Sequence, residues 1–166
     1  SAIQNTENSG FTEYISAIKK IIDITKVFII TGTPFHEPAG SCEVFKTLGA
    51  YVFDKNTFKV FDDFELVAIP EPRKYDYVTD SIEKTYELIN NTIQNFIENL
   101  PVKTKPRIVM YHGEIKGAVF DNGMTASSPV ALHKDLLLKT NADYIACGHI
   151  HYPQKVFDNC YYAGSC

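Results

Sequence analysis

From Phe11 to Ile22 apolar side chains recur at helical spacing, at Phe11, Tyr14, Ile15, Ile18, Ile21 and Ile22, with Lys19 and Lys20 on the other side. This spacing predicts an amphipathic helix, and residues 1–10 before it are expected to be flexible. The helix leads into Val27-Phe28-Ile29-Ile30, a short continuous apolar run stopped by Gly32 and Pro34. Such a run predicts a buried parallel strand with a loop at its C-terminal end. Ser41 is placed to cap a short helix through Leu48, and Gly49 falls where a left-handed residue closes it.

Three short strands are predicted at 51–53, 58–61 and 64–69, separated by turns at Asp54-Lys55-Asn56 and Asp62-Asp63. Pro70-Glu71-Pro72-Arg73 then makes a stiff loop. Ser81 opens the longest helix, whose expected buried stripe is Ile82, Tyr86, Ile89, Ile93, Phe96 or Ile97, and Leu100. Beyond it come an apolar strand at 108–111, a polar loop around Asn122-Gly123, a helix near Leu132 to Leu138 and a buried strand at 144–147. The last elements, Lys155 to Phe157 and Cys160 to Ala163, read as a hairpin about Asp158-Asn159.

Helices alternating with buried strands indicate an α/β chain whose helices cover a mixed, largely parallel sheet. With 166 residues, 45% hydrophobic, one domain can bury a sizeable core. The longest apolar runs are far too short to cross a bilayer, and no charged start leads into a signal segment, so a cytoplasmic protein without a membrane partner is expected. The four cysteines, Cys42, Cys147, Cys160 and Cys166, form no C-x-x-C pair and follow no zinc-knuckle or secreted-disulfide spacing, which predicts reduced thiols. A formal charge of −4 provides no overall basic field for nucleic acid, so a DNA partner would rely on local patches.

Of the five histidines, His36, His112 and His149 fall at or just past the C-terminal ends of predicted strands, and His151 follows two residues on. In open α/β sheets that edge is where ligands bind. Neutral imidazoles from separate strand ends can converge on one divalent metal. In Gly148-His149-Ile150-His151 an extended backbone would turn both imidazoles to one side, and the glycine permits a close turn. His133, on a predicted helix between Leu132 and Lys134, is expected to be solvated and to have no role.

In order, Gly32-Thr33-Pro34-Phe35-His36-Glu37, Tyr111-His112-Gly113 and Gly148-His149-Ile150-His151 resemble the later motifs of the calcineurin-like metallophosphoesterases. The segments Gly40-Ser41-x-Glu43-Val44-Phe45, Pro70-Glu71-Pro72-Arg73, Asp143-Tyr144-Ile145-Ala146, Pro153-Gln154 and Tyr162-x-Gly164-Ser165 are more narrowly similar to the SbcD-type DNA-repair exonuclease branch. The resemblance implies that residues 1–166 are the C-terminal part of a layered metallophosphoesterase core, with an Asp-x-His and a Gly-Asp motif upstream of Phe11 in a longer parent. It also implies a metal-dependent hydrolase in which His112 and His149 ligate one metal and His151 the other. His36 would act as the catalytic group at the phosphate or leaving oxygen, and Arg73 would touch substrate. The family's Gly-Asn-His-Asp is altered here, leaving Thr33 or the backbone in place of its Asn ligand. Two divalent ions, Mn2+ first for mixed N and O ligands and otherwise Mg2+, Zn2+ or Fe2+, would polarise the phosphoester and supply a bridging hydroxide.

Three functions follow for comparison. The first is a phosphodiesterase acting on nucleic-acid ends, an exo- or endonuclease of DNA repair or recombination, with an ATPase partner implied by the family. The second is a phosphoesterase for small or cyclic phosphoesters. The third is a metal-free binding module that kept the fold and lost the chemistry. A nuclease would carry a basic groove beside the histidines, with Arg73, Lys74 and Lys116 as its candidates.

Overall fold

The structure, a computed structural model, describes residues 9–33, 40 and 42–165. The expectations placed on residues 1–8, His36 and Ser41 lie outside that set. Helix α1 (Ser9–Ile22) starts two residues before the apolar stripe that predicts it. Ile15, Ile18 and Ile22 face inward, whereas Tyr14 and Ile21 are about half exposed, so the buried stripe is narrower than the sequence suggests.

Strands β1 (Phe28–Ile30) and β2 (Tyr51–Phe53) pair in parallel as a small sheet of their own. Between them lies α2 (Glu43–Thr47), with Cys42 at its N-cap and Gly49, at φ 108°, closing the turn after it. The large sheet contains β3 (Thr57–Val60), β4 (Glu65–Ile69), β5 (Arg107–His112), β6 (Tyr144–Gly148), β7 (Gln154–Phe157) and β8 (Cys160–Tyr162) in the order β3-β4-β5-β6-β8-β7. Its central strands β4, β5, β6 and β8 are parallel, and β3 and β7 run antiparallel at the two edges. The chain is therefore α/β with a mixed six-stranded sheet.

Side-chain alternation along β4 decides how the layers stack. Val67 and Ile69 point to one face, where α3 (Ile82–Glu98) lays down Ile89, Ile93 and Ile97 and α4 (Lys134–Leu138) adds Leu137. Leu66 and Ala68 point to the other, against Phe28, Ile30, Tyr51 and Phe53 of the small sheet. The outer side of the small sheet, Ile29 and Val52, is covered by α1 and α2. With both faces covered, every residue of β4 is buried, as a central parallel strand requires.

Ser81 caps α3 by accepting the Lys84 N–H at 3.2 Å. The stripe below it differs from expectation at its first turn: Ile82 is half exposed and Thr85 takes the inward position, donating to the Tyr77 and Ser81 carbonyls. β1 is half-buried, not fully buried as its apolar run suggests, because the small sheet has only two strands. Cys42, Cys147 and Cys160 are buried and in no disulfide, and the sulfurs of Cys147 and Cys160 lie 3.5 Å apart. Among the described residues no helix is long and apolar enough to cross a membrane.

One ion pair is fully enclosed. Arg107, at the start of β5, donates from Nε to Glu65 Oε2 at 2.8 Å, while its two terminal nitrogens reach the carbonyls of Thr140 and Pro101. Glu65, its register partner on β4, also accepts from the Thr104 backbone and hydroxyl. Removing one partner would strand a buried charge, so Arg107→Ala is expected to cost about 3–5 kcal/mol of unfolding free energy in a urea titration. Burial alone would raise the Glu65 carboxyl, but hydrogen bonds from Thr104 and Arg107 outweigh it and hold it at about 2, below its ordinary 4.5. A depressed carboxyl contributes stability that is complete above 4.5 and lost as pH falls through about 2. Urea titrations taken down that window should show the wild-type chain losing more stability than Arg107→Ala; equal losses would mean that the pair does not set the acid sensitivity.

Candidate metal centre

Three parallel strands deliver the side chains of the site from their C-terminal ends. β4 ends at Ile69, and Pro70 and Pro72 then restrict the backbone on both sides of Glu71, so its carboxylate leaves the sheet edge in a narrow range of directions. Ile69 is in register with Tyr111, which puts Glu71 beside His112, the last residue of β5. His112 is in register with Gly148, the last residue of β6, and His149 follows it.

Gly148 is required by this arrangement, since a Cβ there would lie 2.9 Å from His112 Cδ2. The chain then turns sharply at His149, whose φ of 98° lies in the left-handed region. Such a conformation in a residue with a Cβ costs on the order of 1–3 kcal/mol and persists only where surrounding contacts hold it. The two imidazoles meet edge to face with centroids 5.4 Å apart.

Glu71 Oε2 is the hub. His112 Nδ1 lies 3.0 Å from it, His149 Nδ1 3.2 Å, and Thr33 donates its hydroxyl to it at 2.8 Å. An ionised carboxylate only accepts, so both imidazoles present Nδ1–H to it. Burial alone would raise the Glu71 carboxyl, but the hydrogen bonds from His112, His149 and Thr33 outweigh it and hold the group well below the usual carboxylate range. The Glu71 hydrogen bond in turn raises His149 above an ordinary histidine, against the opposing effect of burial.

Ligand atoms of Glu71, His112 and His149 lie within 4.8 Å of one another, and among the described residues they form the one group of three or more His, Cys, Asp or Glu side chains close enough to share a metal ion. Bonds of about 2.1 Å to a tetrahedral ion separate its donor atoms by about 3.4 Å, so the spacing and the mixed N and O donors suit a divalent transition metal. Neither protein-family models nor curated proteins give a match to the chain.

The other residues singled out in the sequence fall elsewhere. His36 lies outside the described residues. His151 is exposed and does not join the cluster; its carbonyl accepts the Ser165 N–H and would lie 2.9 Å from a Cβ at Gly164. His133 is exposed as expected, and accepts from Lys116 Nζ at 2.9 Å. Lys74 lies over the Tyr86 ring and donates to its hydroxyl, so both lysines of the anticipated groove have partners other than the cluster. Arg73 donates to the Tyr75 hydroxyl and lines a cavity of about 260 Å3 that also borders Glu71.

Glu71 was legible only as part of a loop. Its signal is positional, a carboxylate two residues past a buried strand and flanked by prolines, the same strand-end setting as that of His112 and His149. Replacing the carboxylate by Glu71→Gln removes the charge that raises His149. The His149 titration midpoint, followed by NMR of the imidazoles in the metal-free chain, is expected to fall toward that of an ordinary histidine. An unmoved midpoint would show that Glu71 does not hold that ring.

Proposed function

We propose that this chain is the C-terminal part of a metal-dependent phosphodiesterase of the calcineurin-like type, closest to the SbcD branch, that cleaves phosphoesters at nucleic-acid ends. The observation that carries the reading is the meeting of Glu71, His112 and His149 from three adjacent parallel strand ends. The sequence of layers, helices on a six-stranded sheet, then a small parallel sheet, then helices, agrees with a layered metallophosphoesterase core.

Glu71, His112 and His149 would hold one divalent ion, with Mn2+ as the first choice. His151 would contribute to a second together with the carboxylates expected upstream. Bound there, the ions would polarise the phosphoester and lower the pKa of a water for in-line attack. The chain's own residues orient these groups: Thr33 fixes the Glu71 carboxylate, Gly148 makes room for the His112 ring, and Arg73 stands at the neighbouring cavity where it would meet a phosphate oxygen. His36, by its place in the motif, would act on the leaving oxygen.

A second reading, a phosphoesterase for small or cyclic phosphoesters, is favoured by the partners of the lysines. With Lys74 on Tyr86 and Lys116 on His133, Arg73 is the remaining cation of the anticipated groove. The two readings separate by salt, because a chain that tracks a nucleic-acid backbone loses affinity steeply as salt rises.

The direct test measures metal content and Mn2+-dependent hydrolysis of bis-p-nitrophenyl phosphate for this chain, for a version extended upstream and for the extended version with His149→Ala. The extended protein is expected to bind about two metals and turn over, with hydrolysis abolished by the substitution. An extended protein that takes up no metal and stays inert would mean that the fold serves binding.

A further inference from the structure

A cavity of about 50 Å3 opens beside the cluster, with His112, Glu114, Ser128 and His149 in its wall. Glu114 follows β5 by two residues and is held from several sides. Its main-chain oxygen accepts the Tyr111 hydroxyl at 2.8 Å and the Leu132 N–H at 2.9 Å, and its Oε2 accepts the Ser128 N–H at 3.1 Å. That leaves Oε1, which lies 4.0 Å from His149 Nε2. Both Nδ1 atoms face Glu71, so Nε2 is the nitrogen of His149 that remains to be directed.

A separation of 4.0 Å is too long for a direct hydrogen bond and suits one bridged by water. Ser128 lines the same cavity, and its hydroxyl is buried with no hydrogen-bond partner. An unmet buried hydroxyl costs on the order of 1–3 kcal/mol, which a water with further polar partners would recover. Metal-bound imidazoles commonly donate their second N–H to a carboxylate or water, and losing that partner weakens the metal by roughly 10–100-fold.

We propose that Glu114, through a water held by the Ser128 hydroxyl, accepts the Nε2–H that His149 carries once its Nδ1 is on the metal, and thereby keeps the Nδ1 of that ring turned to the Glu71 side. Glu114 is then a positioning residue. The proposal rests on the reading of Glu71, His112 and His149 as metal ligands, and deepens it by naming what orients the most strained of the three.

Glu114→Gln preserves the size of the side chain and an acceptor for the Ser128 N–H, but turns an amide donor toward Nε2–H. Zn2+ binding to the full chain is measured by calorimetry alongside imidazole 15N NMR, with Ser128→Ala as the second variant. Glu114→Gln is expected to bind Zn2+ roughly 10–100-fold more weakly. Ser128→Ala should lose less, and both thermal midpoints should stay close to wild type. In the Zn2+-loaded wild-type chain the His149 Nε2–H resonance should be visible, and in Glu114→Gln it should be lost to solvent exchange. Wild-type affinity together with an unchanged Nε2–H resonance would overturn the proposal. If the wild-type chain takes up no Zn2+, the metal reading fails. The link is then judged in the metal-free chain, where both substitutions must move the His149 Nε2 signal and an unmoved signal sinks it.

Discussion

The buried pair of Glu65 and Arg107 fixes β4 on β5, and the site at the far end of those strands depends on that register. The two residues are partners at the start of the ladder, and Ile69 and Tyr111 are partners at its end. Because side chains alternate along a strand, a slip of one residue would turn Val67 and Ile69 away from α3 and take Glu71 out of reach of His112. A slip would also take the enclosed arginine away from the two carbonyls and the carboxylate it satisfies here. The pair therefore contributes more to specificity of register than to net stability, since a well-packed apolar pair of the same volume could be as stable.

From that register the chemistry follows in short steps. Parallel strands bring their C-terminal ends to one edge, and the polar residues after them are the ones free to meet a ligand. Around Glu71 Oε2 the sheet assembles two imidazoles and a hydroxyl, all donating to a single oxygen. Holding His149 in a left-handed conformation costs energy that its contacts with Glu71, His112 and the Glu114 wall must offset. Gly148 belongs to the same constraint, because the His112 ring occupies the space in which a Cβ would stand.

Much of the fold was legible because its elements are punctuated by residues with one clear physical use. Ser81 caps α3, Gly49 takes a left-handed conformation after α2, and Asp158-Asn159 turns the last hairpin. Less legible was anything set by partners distant in sequence. The apolar runs at 28–30 and 51–53 do not reveal that they leave the main sheet and pair with each other. Ile82 loses its inward place to Thr85 because the hydroxyl can bond the Tyr77 and Ser81 carbonyls, an advantage that hydrophobic spacing does not register. In the site, His112 and His149 were visible as strand-end imidazoles, whereas Glu71 and Glu114 were not, since carboxylates are common in loops and only the strand pairing brings these two to the histidines. His151 has the opposite history: alternation suggested it would join His149, but the turn at His149 leaves it exposed.

The central claim is that Glu71, His112 and His149 are ligands of one metal ion. The most direct measurement is a crystal structure of the Mn2+-soaked chain with diffraction collected on both sides of the manganese absorption edge. The account predicts an anomalous peak within about 2.0–2.4 Å of Glu71, His112 Nδ1 and His149 Nδ1, with the two imidazoles no longer donating to the carboxylate. A saturated soak that leaves those hydrogen bonds intact, with no peak among the three residues, would contradict it.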